Sequence, residues 1–150
     1  MKNNNSKTLK VKILAIISIL FFLTSLTIYL FYGKKYKIIE IKEHKFFVRL
    51  ALSPKDQVQG LSGRKNIKKW EGMLFEFKRK SKYSFWMKNM NFPLDIIWIE
   101  EGRIVYIARN ISCQHSEIIS PQVEADTVLE INGGISEEYN FNIGDIVILN

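Results

Sequence analysis

Twenty consecutive residues without a charge, Ile13 to Tyr32 (ILAIISILFFLTSLTIYLFY), set the first limit on this chain of 150. A helix rises 1.5 Å per residue, so such a stretch covers about 30 Å, the hydrocarbon thickness of a bilayer. Its only polar groups are Ser, Thr and Tyr hydroxyls, which can bond within the helix or reach the interface. Nothing on it is amphipathic, which argues against a buried core helix. A cleaved secretory signal has a core of about 7–15 apolar residues and small residues at its exit. This stretch is longer and leaves through Tyr29-Leu30-Phe31-Tyr32-Gly33-Lys34-Lys35. The sequence therefore predicts a cytoplasmic basic tail over 1–12, an uncleaved transmembrane signal-anchor over 13–32, a juxtamembrane linker over 33–37 and a globular domain over 38–150. Four lysines precede the helix, and Lys34, Lys35, Lys37 and Lys42 follow it, so the positive-inside count is nearly balanced. The tail is too short to be a domain, so the default is a single pass through the cell membrane with the domain exported.

The formal charge of +7 resembles a nucleic-acid signal until it is placed along the chain. Residues 1–35 carry six lysines and no acid; the rest holds 16 basic and 15 acidic side chains. The excess belongs to the flanks of the hydrophobic stretch, and no nucleic-acid partner is expected. Within the domain the charge is uneven, +9 over 36–94 and −8 over 95–150. The single cysteine, Cys113, excludes an intrachain disulfide without deciding the compartment.

From Tyr36 the pattern changes from continuous to alternating apolar. Strands are expected at Tyr36–Ile41 and Lys45–Leu52, where Phe46, Val48, Leu50 and Leu52 share a face. Ser53-Pro54-Lys55-Asp56 reads as a capped helix start, and Gly60 and Gly63 keep the helix short. Gly72–Phe77 reads as a strand, Lys78–Lys82 as a basic turn and Tyr83–Lys88 as another strand. Ile96–Ile99, apolar on both faces, reads as a central strand. Glu101-Gly102 is a hairpin signal returning into Arg103–Ile111. Ser112–Ala125 should be a loop over the sheet, Thr127–Ile131 a strand, Ile135–Asn140 a helical turn and Ile146–Leu149 a last strand. The fold class expected is mostly β (α+β): a compact antiparallel or mixed sheet curled into a barrel or sandwich, with one short helix, preceded by a single transmembrane helix.

The strings Gly60-Leu61-x2-Arg64, Gly72-Met73-Leu74-Phe75, Phe85-Trp86-Met87-Lys88, Pro93-Leu94-Asp95, Val128-Leu129-Glu130 and Gly144-Asp145 occur in that order over about two thirds of the chain. In these the sequence resembles the DUF192 family, a prokaryotic family of small proteins without an assigned activity. Ser62 stands where that family usually has methionine. The resemblance implies that the domain is exported, since such proteins often carry a signal peptide or an anchor. It also implies a shared surface around Arg64, Trp86, Lys88 and Asp95, but no reaction and no cofactor.

Those four residues are the candidate ligand-binding set. An Arg and a Lys beside an indole suit a small anion or a sugar, through stacking and charge-assisted hydrogen bonds. The competing expectation is structural, with Asp95 capping a turn and pairing with Arg64 or Lys88. An enzyme on an envelope polysaccharide, with Asp95 as acid or base, would need a second titratable group such as Glu76 or Glu130 facing it. A third possibility is a structural domain contacting lipid or a membrane partner through Arg64–Lys69 and Lys78–Lys82. Cys113-x-His115 and Met73, Met87 and Met90 could suit copper(I), but the pair is too few for a site and no metal is expected. Cys113, His115 and His44 are nucleophile or base candidates by residue type only, and no HExxH, GxSxG or phosphate loop occurs.

Overall fold

An unbroken run of hydrogen-bonded turns carries the hydrophobic stretch. Helix α1 spans Asn3–Tyr32, and within it the segment Lys7–Leu30, with mean hydropathy 2.5, is long and apolar enough on average to cross a bilayer. The Thr24 and Thr27 hydroxyls donate to the Phe21 and Thr24 carbonyls at 2.9 and 2.8 Å, so these polar side chains are satisfied inside the helix. The computed structural model describes residues 3–32 and 35–149. It separates into two compact units, residues 1–34 and 35–150. Of the expected linker, residues 33 and 34 lie outside the described residues, and Tyr36 and Lys37 already belong to the first strand.

The second unit contains seven strands: β1 (Tyr36–Ile41), β2 (His44–Leu50), β3 (Glu71–Ser81), β4 (Leu94–Glu100), β5 (Arg103–Ile111), β6 (Ala125–Asn132) and β7 (Val147–Leu149). They form one sheet in the order β5-β4-β6-β3-β2-β1-β7, antiparallel throughout except for β2 beside β3. The β2–β3 crossover holds the short helix α2 (Pro54–Gln59), capped where expected: the Ser53 hydroxyl accepts from the Asp56 amide at 3.1 Å. The sheet curls until its edges meet, with Arg103 bridging Ile146. There the Ile104 amide donates to the Asp145 carbonyl at 3.0 Å and the Val147 amide to the Gly102 carbonyl at 2.8 Å. Glu101 and Gly102 both take positive φ, 48° and 71°, as the predicted two-residue hairpin requires.

Period-two alternation divides the apolar residues between two layers. Ile97 and Ile99 of β4, Leu74 of β3, and Leu129 and Ile131 of β6 face the concave interior with Phe46, Phe141 and their neighbours. Ile96, Trp98, Met73, Phe75 and Val128 face outward under a second cover. That cover is made from Ala51, Leu61 and Ile67, which flank α2 in the chain, and from the irregular stretches 82–93 and 112–124. These two stretches are clipped to each other by reciprocal backbone bonds between Phe85 and Ile119, at 3.0 and 2.8 Å. The Trp98 indole, fully buried, donates to the Tyr83 carbonyl at 2.9 Å and holds the cover on the sheet.

Two sequence expectations change here. Lys78–Ser81 is no turn: β3 runs on through it, solvated on both faces, so only its charge is visible in sequence. Tyr83–Lys88 is no strand: beyond the Phe85–Ile119 bridge it pairs with nothing, and its alternation records that one side faces the outer core. The helical turn expected over Ile135–Asn140 forms as a second short helix, α3 (Ile135–Glu138).

One carboxylate joins the end of β4 to two other elements. Asp95, 0% exposed, accepts from the backbone amides of Asn110 at 2.6 Å, Gly134 at 2.9 Å and Ser136 at 2.6 Å. Gly133 permits this closeness, because a Cβ there would lie 2.8 Å from the Pro93 Cβ and 2.7 Å from the Asn110 side-chain oxygen. Removing the carboxylate leaves three amides, one buried and two part-buried, without their acceptor, a loss of about 1–3 kcal/mol each. Asp95→Ala is therefore expected to lose about 3–6 kcal/mol in urea unfolding, whereas Lys88→Ala, at an exposed position, should change stability by under about 0.5 kcal/mol. A loss below about 1 kcal/mol for Asp95→Ala would contradict the assignment.

Candidate functional site

β6 lies between β3 and β4 with an apolar layer on each face, and alternation sends Val128 and Glu130 into the outer layer. Glu130 pairs in register with Met73 on one side and Ile96 on the other, both apolar. Its side chain is 4% exposed, and its Oε2 has no hydrogen-bond partner among the described residues. Burial pushes its pKa up to about 8, against a smaller opposing effect of the Leu61 backbone N–H. At neutral pH the group is therefore a carboxylic acid, able to donate a proton as well as to accept one.

Gly60 explains how the chain passes so near. It ends α2 with φ 54° and ψ −131°, and a Cβ there would sit 3.1 and 3.3 Å from the two Glu130 oxygens. Between this turn and the 83–90 stretch lies a half-open cavity of about 140 Å³, with Glu130 at its base. Its walls are aromatic. Phe75 meets Phe85 edge-on at 5.0 Å, Phe77 stacks on Tyr83 at 3.6 Å, and Trp86 contributes a side chain that is 42% exposed. Gln57, Gln59, Ser62 and Ser84 supply the polar groups on the lining.

Of the four candidate residues, only Trp86 lines this cavity. Arg64 and Lys88 lie on backbone stretches that are clipped together: the Ser62 hydroxyl donates to the Lys88 carbonyl at 2.7 Å and the Asn91 amide to the Arg64 carbonyl at 2.8 Å. Neither side chain makes an ion pair among the described residues, and neither reaches the cavity lining. Asp95 is held elsewhere by its three amides and pairs with neither cation. Glu76, named in sequence as a possible second acid, pairs with Lys37 at 2.6 Å. Cys113 packs part-buried against the outer core, and among the described residues no group of three or more His, Cys, Asp or Glu is placed to hold a metal. His44 stacks on Tyr139 at 3.7 Å.

The acid at the cavity base makes a stability prediction. Unfolded, Glu130 ionises near 4.5; folded, near 8. Between those values the folded chain keeps a proton that the unfolded chain has released, so raising the pH favours unfolding. Stability should fall by up to about 1.4 kcal/mol per pH unit across that window and level off above it. The other displaced groups lie outside it, Asp56 and Asp145 below 3.8 and Lys69 and Lys80 above 10.5. Glu130→Gln should flatten the slope measured by urea unfolding at a series of pH values. The same slope in wild type and variant would contradict the assignment.

Two solved structures resemble this chain. One, of a protein of unknown function from Novosphingobium aromaticivorans, is 30% identical with TM-score 0.69, covering 76% of this chain and 83% of the other. The second, from Sinorhizobium meliloti and labelled a "putative transcription regulator", is 31% identical with TM-score 0.72, covering 77% and 93%. No curated protein matches the chain. The profile of the DUF192 family, described as uncharacterized, matches residues 37–149. With nearly the whole β unit inside that match, the chain belongs to the DUF192 family.

Proposed function

We propose that this protein is a membrane-anchored, extracytoplasmic domain that binds a small ligand in the cavity between the Gly60 turn and the 83–90 stretch. The observation that carries the reading is the Glu130 carboxyl: 4% exposed, one oxygen without a partner, and lining a cavity walled by aromatic rings. A buried polar atom left unsatisfied costs about 1–3 kcal/mol, and a ligand that completes its hydrogen bond recovers that cost. Aromatic walls with a few convergent polar groups are the usual make-up of a small-molecule site. Trp86 and Phe85, both in the Phe85-Trp86-Met87-Lys88 string, then act as wall and support.

Binding is favoured over hydrolysis of an envelope polysaccharide. Glycoside hydrolysis generally uses two carboxyl groups flanking the bond, and among the described residues the lining carries one carboxyl, Glu130. The regulator label of the Sinorhizobium protein is not carried over, since the chain beyond residue 35 holds 16 basic and 15 acidic side chains. Anchorage is supported by the apolar run over 7–30 and by the bulky residues at its exit. Export is the default for a short basic tail ahead of a single span.

The test of the reading is a ligand panel of neutral sugars, sugar acids and small inorganic anions, added to the full chain in a sugar-free detergent. At a hundredfold excess over its Kd a true ligand should stabilise the fold by about 2.7 kcal/mol and shift the Trp86 indole N–H resonance. Trp86→Ala should weaken binding at least tenfold with little loss of stability. A panel that leaves both the unfolding midpoint and the indole resonance unchanged would overturn the reading.

A further inference from the structure

The charges around Glu130 decide what kind of ligand the cavity accepts. Among the described residues no Lys, Arg or His lines it, and the ionisable groups on the lining are Glu130 and Tyr83. The Tyr83 hydroxyl is already engaged, donating to the Arg79 carbonyl at 2.6 Å. Charged groups on the surrounding elements are either paired elsewhere or absent from the lining. On α2, Asp56 holds Arg49 at 2.7 Å; on β3, Glu76 holds Lys37. Arg64 and Lys88, on the two stretches that border the cavity, do not reach it. On β4, the residue opposite Glu130 is Ile96.

An anion entering this space would shed its water and meet no cation, a cost that hydrogen bonds from neutral amides do not cover. It would also oppose any ionisation of Glu130. An uncharged oxygen meets no such cost, and it is the natural acceptor for the carboxylic proton. The volume is close to the roughly 150 Å³ of an apolar cavity that holds one benzene, so the half-open space seats part of one six-membered ring and leaves the rest of its substituents outside. Phe75, Phe85 and Trp86 present ring surfaces to the C–H faces of such a unit, while Gln57, Gln59 and Ser84 can meet peripheral hydroxyls.

Resting on the binding reading above, we propose that the ligand is an uncharged oxygen-bearing ring, of which a neutral hexose unit is the type, held by a hydrogen bond donated from the Glu130 carboxyl on the cavity lining. Binding then requires the proton. With ionisation near 8, affinity falls about tenfold for each pH unit above that value.

The experiment titrates the full chain, in a sugar-free detergent, with neutral hexoses and N-acetylhexosamines and with glucuronate as the charged counterpart of glucose. The Trp86 indole resonance is followed at about pH 6 and about pH 9.5. A neutral ring should bind about thirtyfold more weakly at the higher pH, and glucuronate should bind at least tenfold more weakly than its neutral counterpart at the lower one. Glu130→Gln keeps a donor that cannot ionise, so it should bind the neutral ring with the same affinity at both pH values. Equal or tighter binding of glucuronate, or a neutral ring whose affinity is unchanged by pH in the wild type, would overturn this inference and leave the pocket standing. An indole unmoved by neutral and charged probes alike would remove the pocket reading and this inference together.

Discussion

A single carboxylate with three backbone amides around it fixes the part of the sheet on which the other elements converge. Asp95 sits one residue into β4 and ties the end of β5, through Asn110, to the turn that opens α3, through Gly134 and Ser136. A carboxyl group gathering several backbone donors holds their segments together, and here the donors come from segments far apart in sequence. Arg109, the neighbour of Asn110, extends the junction by donating to the Ser136 hydroxyl at 2.8 Å and to the Phe141 carbonyl. With these ends fixed, the concave core closes around Phe46 and Phe141, and the sheet edges meet at Arg103 and Ile146.

The same sheet exposes its other face to a cover made of irregular chain, and that asymmetry is where function enters. Helices and strands can pack without gaps, but a cover of turns and extended stretches leaves space wherever a glycine brings the backbone close. Gly60 does so at Glu130, and the resulting hollow is closed below by a group that burial keeps protonated. A buried acid in an otherwise apolar strand costs stability. Its presence on the lining of an aromatic cavity is the observation on which the binding proposal rests, while closure of the fold rests on Asp95 at another place.

Much of the fold was legible because its signals are local. Ser53-Pro54 announces α2, Glu101-Gly102 announces the hairpin, and the doubly apolar Ile96–Ile99 announces the strand buried on both faces. The outer layer was less legible, since alternation in Tyr83–Lys88 reports a half-buried extended chain whether or not it pairs. The charge of Lys78–Ser81 hid a strand that runs past its partners: Lys80 there holds Glu100 at 3.0 Å, and the register with β6 shifts between Glu76 and Ser81. For the candidate site, Trp86 came from the family resemblance, and of that set it alone lines the cavity. Asp95 was grouped with it because a charge beside a turn looks the same whether it meets a ligand or buried amides. The signal for Glu130 was present, a lone acid inside the apolar Val128–Ile131 alternation, but its distance from Gly60 is a property of topology.

The central claim is that the Glu130 carboxyl carries a proton at neutral pH in the folded protein, and carbon-13 NMR of the side-chain carboxyl reads that state directly. With glutamate labelled at that carbon and Glu130→Gln used for assignment, the account predicts a protonated chemical shift at about pH 6.5 and a titration midpoint near 8. A resonance already at the carboxylate position at about pH 6.5, with its midpoint near the ordinary value for glutamate, would contradict it.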